Sequence, residues 1–115
     1  MRALIIEPQI FTSFMIEDAL RDAGYTSIEM AATEEEAVAC ATAQPPDLVT
    51  AAVELHRGSG ISAVRRIRET LKVPVLFITQ QVSRVRDRDP GASVLKKPFA
   101  AAQLPPAIAE AAGLR

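Results

Sequence analysis

With a single cysteine, Cys40, the chain can form no internal disulfide. One unpaired thiol suits a reducing compartment, so a cytoplasmic protein is expected. Cys40 sits in an alanine-rich helical stretch, where a buried structural thiol is expected. No apolar run approaches the ~20 residues that cross a bilayer, so no membrane role is expected. No internal repeat and no low-complexity linker divides the 115 residues, which read as one domain over 1–115. The opening MRALIIEPQI lacks the long apolar core and small-residue cleavage site of a signal peptide, and reads as a first strand. Disorder is excluded by composition, since 49% of residues are apolar and only 23% charged.

The net charge of −1 hides a strong asymmetry. Residues 1–56 hold ten acids against Arg2 and Arg21, a net −8, whereas residues 57–115 hold eleven bases against four acids, a net +7. The split predicts opposed acidic and basic faces that would steer a partner. The plainer reading is that solvated helix faces happen to fall this way.

Strand and helix patterns alternate. Ala3–Ile6 is an apolar run of the kind buried on both faces of a sheet. Phe14, Ile16, Ala19, Leu20 and Ala23 then recur at mostly helical spacing up to a Gly24 cap. A weaker strand follows around Ser27–Ala31. Thr33 with Glu36 three residues on forms a capping-box signature, and Glu34–Glu36 suit a helix N-terminus. Pro45-Pro46 stop that helix, and Asp47–Val53 reads as the third strand. His56–Gly60 turns into a helix over roughly 61–71, with Ile61, Val64, Ile67 and Leu71 inward and Arg65, Arg66 and Arg68 wet. Val73–Ile78 is the strongest strand signal, Ser93–Leu95 a short fifth. A last helix spans about 102 to 112, starting late because Pro105-Pro106 fit only its first turn. Five βα units imply a parallel sheet covered on both faces.

Read with its short motifs, this layout resembles the receiver domain of bacterial response regulators. The signposts are IIEP after the first strand, PDLV opening the third, Gly60 opening the following helix, VPVLFIT ending in Thr79, Gly91-Ala92, and LKKPF with Lys97-Pro98-Phe99. The resemblance runs from Leu4 to about Ile108. It implies a flavodoxin-like (CheY-like), doubly wound α/β fold with five parallel strands in the order 2-1-3-4-5. It also implies a site at the carboxyl ends of the strands, where open α/β sheets bind ligands. In that family an aspartate ending the third strand takes a phosphoryl group, acids after the first strand help hold Mg²⁺, and a Ser or Thr and a Lys bind the phosphoryl oxygens. All act together, because a highly charged group must be positioned and neutralised at once.

Only part of that set is present. Ala52 stands at the phosphoacceptor position, and its methyl carries no nucleophilic lone pair. The acid pair is Glu7-Pro8, so Mg²⁺, which wants octahedral oxygen ligands, should bind weakly or not at all. Thr79 and Lys97 remain, and the resemblance implies a cis Lys97–Pro98 bond. Val94 replaces the aromatic switch residue. The segment between Thr79 and Gly91 is about one turn short, with Val82 and Val85 as its only anchors. The fourth helix is therefore expected to be truncated, irregular or mobile.

Lys97 should lie near Glu7 and Glu54, and pairing with either acid would neutralise the pocket without phosphorylation. The alternatives are solvated remnants or a small-anion site. Thr79 alone reads better as a strand-end cap. Arg84, Arg86 and Arg88 would share a side in an extended segment, whereas in a helix Arg86 would point away from the other two. Their guanidinium forks suit phosphates, but the interleaved Asp87 and Asp89 favour a plain solvated segment. His56 near Glu7 and Glu54 makes a poor metal cluster, and no metal site is expected.

The expectation is a stand-alone receiver-like module, not an enzyme, that signals by protein contact without aspartyl phosphorylation. Its partner would be a histidine kinase, a phosphotransfer protein, another receiver or a second copy in a homodimer; no DNA contact is expected. The alternative is a sensor of an anionic ligand, such as a cyclic dinucleotide, held by Arg84, Arg86 and Arg88. A flavodoxin-like electron carrier is disfavoured, because Glu7-Pro8-Gln9 lacks the small hydroxyl and glycine residues of a phosphate-cradling turn.

Overall fold

A computed structural model describes residues 1–113. Five strands, β1 (Arg2–Ile6), β2 (Ser27–Ala31), β3 (Leu48–Ala51), β4 (Val75–Thr79) and β5 (Ser93–Lys96), form one sheet ordered β2-β1-β3-β4-β5. Every neighbouring pair is parallel. The helices are α1 (Ile10–Asp22), α2 (Glu34–Ala43), α3 (Gly60–Arg68), α4 (Val82–Arg88) and α5 (Leu104–Ala111). The chain order and strand order together give the doubly wound, flavodoxin-like arrangement.

The sheet separates two apolar layers. Alternate strand residues Leu4, Ile6, Val49, Ala51, Val75 and Phe77 face Ala37, Ala63, Val64, Ile67 and Val85 of α2, α3 and α4. Ala3, Ile5, Leu48, Leu76 and Ile78 face Ile16, Leu20, Leu104 and Ile108 of α1 and α5. Strands buried on both faces need such near-continuous apolar runs.

Local chemistry sets the element ends. Gly24 follows α1 at φ +101°, a conformation glycine adopts without a Cβ clash. Thr33 Oγ1 accepts the Glu36 N–H, and the Glu36 carboxylate reaches back to the Ala32 N–H, one residue earlier than the ideal capping box. A short 3₁₀ turn, Ala101–Gln103, precedes α5, so Pro105 and Pro106 fall in its first turn as their missing N–H groups require.

Several boundaries and faces differ from expectation. β3 spans Leu48–Ala51 and stops two residues short of the expected Val53, because the chain then turns to bring the Gly60 N–H onto the Val53 carbonyl. α3 ends at Arg68, where Glu69 and Thr70 tighten into bonds with Arg66 and Ile67. Its inward face uses Ala63, while Ile61 and Leu71 are only half-buried. Cys40 is half-buried rather than buried, and desolvation together with Glu29 pushes its thiol up. Phe14 and Ala23 face solvent, because Ile16, Ala19 and Leu20 set the inward face of α1; Ser13 falls on that face, where its hydroxyl donates to the Glu7 carbonyl at 3.4 Å. α4 is a two-turn helix, truncated as its sparse apolar anchors imply, with Val85 buried and Val82 half-buried.

Arg66, expected on the wet side of α3, instead ties that helix to α2. Its guanidinium donates to Glu34 at 2.9 Å and Glu35 at 2.7 Å. Glu34 also accepts the Ser59 N–H at 3.1 Å and the Ser62 hydroxyl at 2.8 Å. The Ser59 N–H and Arg66 hold the Glu34 carboxyl below its ordinary value of 4.5. A depressed carboxylate adds stability above that ordinary value and loses it as pH falls through the folded one. Thermal unfolding should therefore show wild type losing more stability than Glu34→Gln on acidification below pH 4.5. At neutral pH, Glu34→Gln should be the less stable of the two.

Candidate functional site

The carboxyl ends of the strands open into a cavity of about 360 Å³, lined by Glu7, Ala52, Glu54, Thr79 and Lys97 among others. β1 delivers Glu7, the turn after β3 carries Ala52 and Glu54, β4 ends in Thr79, and Lys97 follows β5. Parallel strands necessarily bring these ends to one edge, so residues up to 90 positions apart meet.

The central contact joins Lys97 Nζ to Glu7 Oε1 at 2.7 Å. The Glu7 side chain is only 1% exposed and that of Lys97 18%, so the pair is largely withdrawn from water. Glu7 Oε2 accepts the Gln9 N–H at 3.1 Å, which leaves both carboxylate oxygens engaged. Charge-assisted bonds of this length are the strong ones. The Lys97–Pro98 bond is cis.

Glu54 does not join that pair. β3 has ended, so the alternation that would aim Glu54 at Lys97 no longer applies; its exposed carboxylate accepts from Gln81 Nε2 at 2.7 Å. Thr79 is buried, and its Oγ1 accepts the Gln81 N–H at 2.9 Å, the strand-end cap expected of it. Pro8 offers no carboxylate, and the buried Ala52 presents only a methyl. Val94 is half-buried against the α2–α4 layer, a place an aliphatic side chain fills without a rotating ring. His56 is exposed, and among the described residues no cluster of three His, Cys, Asp or Glu is arranged to hold a metal.

The three alternating arginines do not form one site. α4 is helical, so Arg84 and Arg88 line one cavity with α3 while Arg86 turns away to the Pro90 and Ala92 carbonyls, each at 3.4 Å. Arg84 also donates to Gln81 at 2.7 Å. Two features had gone unread: the Glu34 junction between α2 and α3, and an exposed apolar face on α1. The second had a signal in Ile10, Phe11, Phe14 and Met15, whose i, i+1, i+4, i+5 spacing places them together.

Known proteins share this architecture. A family model described as the response regulator receiver domain matches residues 3–109. The transcriptional regulatory protein PdtaR of Mycobacterium tuberculosis is 35% identical over 111 residues, which cover 93% of this chain and 54% of the relative. The phyllosphere-induced regulator PhyR of Methylorubrum extorquens is 34% identical over 112 residues, covering 94% of this chain and 42% of the relative. The chain thus spans about half the length of these curated relatives. The solution structure of the PhyR receiver domain of Erythrobacter litoralis superposes with a TM-score of 0.86 at 35% identity, covering 96% of this chain and 88% of that one. Fold, strand-end cavity and sequence agree, and the chain belongs to the response regulator receiver domain family.

Proposed function

We propose that this receiver domain signals through protein contacts and without aspartyl phosphorylation. The observation that carries this reading is the Glu7–Lys97 ion pair at 2.7 Å, in the cavity that Ala52 also lines. In the family chemistry a lysine neutralises a phosphoryl group on an aspartate. Here its charge is already met by a buried carboxylate, and the Ala52 methyl has no lone pair to attack phosphorus. Mg²⁺ finds little to hold, since each Glu7 oxygen already accepts a bond, Pro8 has no oxygen ligand on its side chain, and Glu54 is tied to Gln81. The domain is no enzyme on this reading. Its output is a surface held by the internal pair in one neutralised state.

The partner is a signalling protein: a histidine kinase, a phosphotransfer protein or another receiver. A related PhyR from Bartonella quintana, 28% identical across 97% of this chain, is described as an anti-anti-sigma factor, which supports a role through protein association. The cyclic-dinucleotide reading loses its basis once α4 separates Arg86 from Arg84 and Arg88.

Beryllofluoride with Mg²⁺ tests the proposal. The backbone amide spectrum is expected to stay unchanged at Ala52, Thr79 and Lys97. Saturable shifts confined to those residues, or an acid-labile phosphoryl adduct formed from acetyl phosphate, would overturn it.

A further inference from the structure

Two unpartnered surfaces lie on opposite faces of the sheet, and their chemistry matches. On one side, α1 exposes Ile10, Phe11, Phe14 and Met15, with Phe11 80% exposed. These four and Met1 are the exposed large apolar side chains among the described residues. The same solvent face of α1 continues one turn later into Asp18 and Asp22, both exposed, neither with an ion-pair partner among the described residues. On the other side, the short α4 leaves a groove of about 410 Å³ against α3. Its floor is Ile61, Val64, Phe77 and Val85, and its rim carries Arg65, Arg68 and Arg88 together with Glu69 and Asp89. Arg68 lies 3.6 Å from Asp89, whereas Arg65 and Arg88 are exposed and have no hydrogen-bonded or ion-pair partner among the described residues.

We propose that the α1 face of one copy of this chain docks into the α3–α4 groove of a second copy. Apolar side chains at the start of α1 would cover the groove floor, and Asp18 and Asp22 would meet Arg65 and Arg88. A contiguous exposed apolar patch marks an interaction site. The unpaired Asp18 and Asp22 beside the apolar face of α1, and the unpaired Arg65 and Arg88 beside the groove, make another copy the complementary occupant. Because knob and groove lie on opposite faces, the contact is heterologous: each added copy presents a fresh groove or a fresh knob, and assembly runs on as an open chain. The area offered by one helix face implies a weak, concentration-dependent association. The inference deepens the protein-contact reading and rests on it, but not on the chemistry at Ala52.

Sedimentation velocity over a concentration series tests it with three chains: wild type, a knob variant (Phe11→Asp) and a groove variant (Arg65→Glu with Arg88→Glu). All substitutions are at exposed positions, and a dispersed amide spectrum checks folding. Wild type is expected to grow past the dimer as concentration rises, and each variant to stay monomeric alone. A mixture of the two variants should stop at a one-to-one dimer, because only the intact knob of one and the intact groove of the other remain. A wild type that stays monomeric throughout would overturn the proposal, as would a groove variant that still self-associates, the mark of an α1–α1 dimer. Either failure leaves the beryllofluoride outcome standing, so the two readings fail separately.

Discussion

Lys97→Met is expected to cost the fold about 3 kcal/mol, a large fraction of what holds a domain of this size. The substitution keeps most of the lysine stem and removes only the ammonium. What remains is the Glu7 carboxylate, 1% exposed, with a single N–H donor from Gln9 at 3.1 Å. An uncompensated buried charge is the expensive outcome. The lost pair itself weighs less, because its Coulomb gain is largely offset by desolvation of both groups. The double variant Glu7→Gln, Lys97→Met should therefore recover much of the loss, since a glutamine oxygen still accepts the Gln9 N–H and carries no charge. Urea unfolding of wild type, both singles and the double closes the cycle and isolates the coupling. A cost of about 1 kcal/mol or less for Lys97→Met would mean the pair behaves like an exposed surface bridge. Arg21→Met supplies that comparison, because the Arg21–Glu17 pair lies on the solvent side of α1.

The same pair marks how far the sequence could be read. Glu7 and Lys97 directly follow β1 and β5, and those strand ends follow from the apolar run Ala3–Ile6 and the short Ser93–Leu95 signal, so their meeting was legible. Glu54 was not. Its aim depended on β3 persisting past Ala51, and the early turn is set by tertiary bonds between the Val53 carbonyl and Gly60 that no local pattern encodes. Phe14 shows the other kind of error. Phenylalanine at helical spacing reads as core, yet Ile16, Ala19 and Leu20 set the inward face and put Ser13 on it, where the Glu7 carbonyl gives its hydroxyl a partner. α4 was legible as truncated from its missing residues and few anchors. That it stayed helical, and so split the arginines, needed Val85 to find the pocket between α3 and β4. The Glu34 junction stayed hidden because an acid at a helix N-terminus already has a local explanation in the helix dipole.

Gly60→Ala should be more damaging still, at about 4 kcal/mol or more, although only one methyl is added. An ideal Cβ at this position would sit 1.6 Å from the Ala52 carbonyl oxygen and 2.8 Å from its carbon. Both are backbone atoms, so no side-chain rotamer can relieve the overlap. The chain must shift at the start of α3 or at the turn after β3. The second option breaks the bond from the Ala52 N–H to the Ile6 carbonyl at 2.8 Å, which holds the cavity floor to β1. The first breaks the bond from the Gly60 N–H to the Val53 carbonyl at 2.8 Å and loosens the Ser59 cap on Ser62. Backbone conformation is not the cause, because Gly60 is not among the glycines with positive φ. Gly91→Ala is the matched control: Gly91 is exposed, and its new methyl would meet only a side-chain oxygen of Asp89 at 3.9 Å. It should change stability by less than about 0.5 kcal/mol. If Gly60→Ala retains near-native stability, amide shifts will show which end moved. Shifts centred on Ala52 and Glu7 would tie the glycine to the cavity, and shifts centred on Ser59 and Ser62 would tie it to the helix start. A fully stable variant with neither set would mean that Ala52 is not held against α3 as closely as the fold requires.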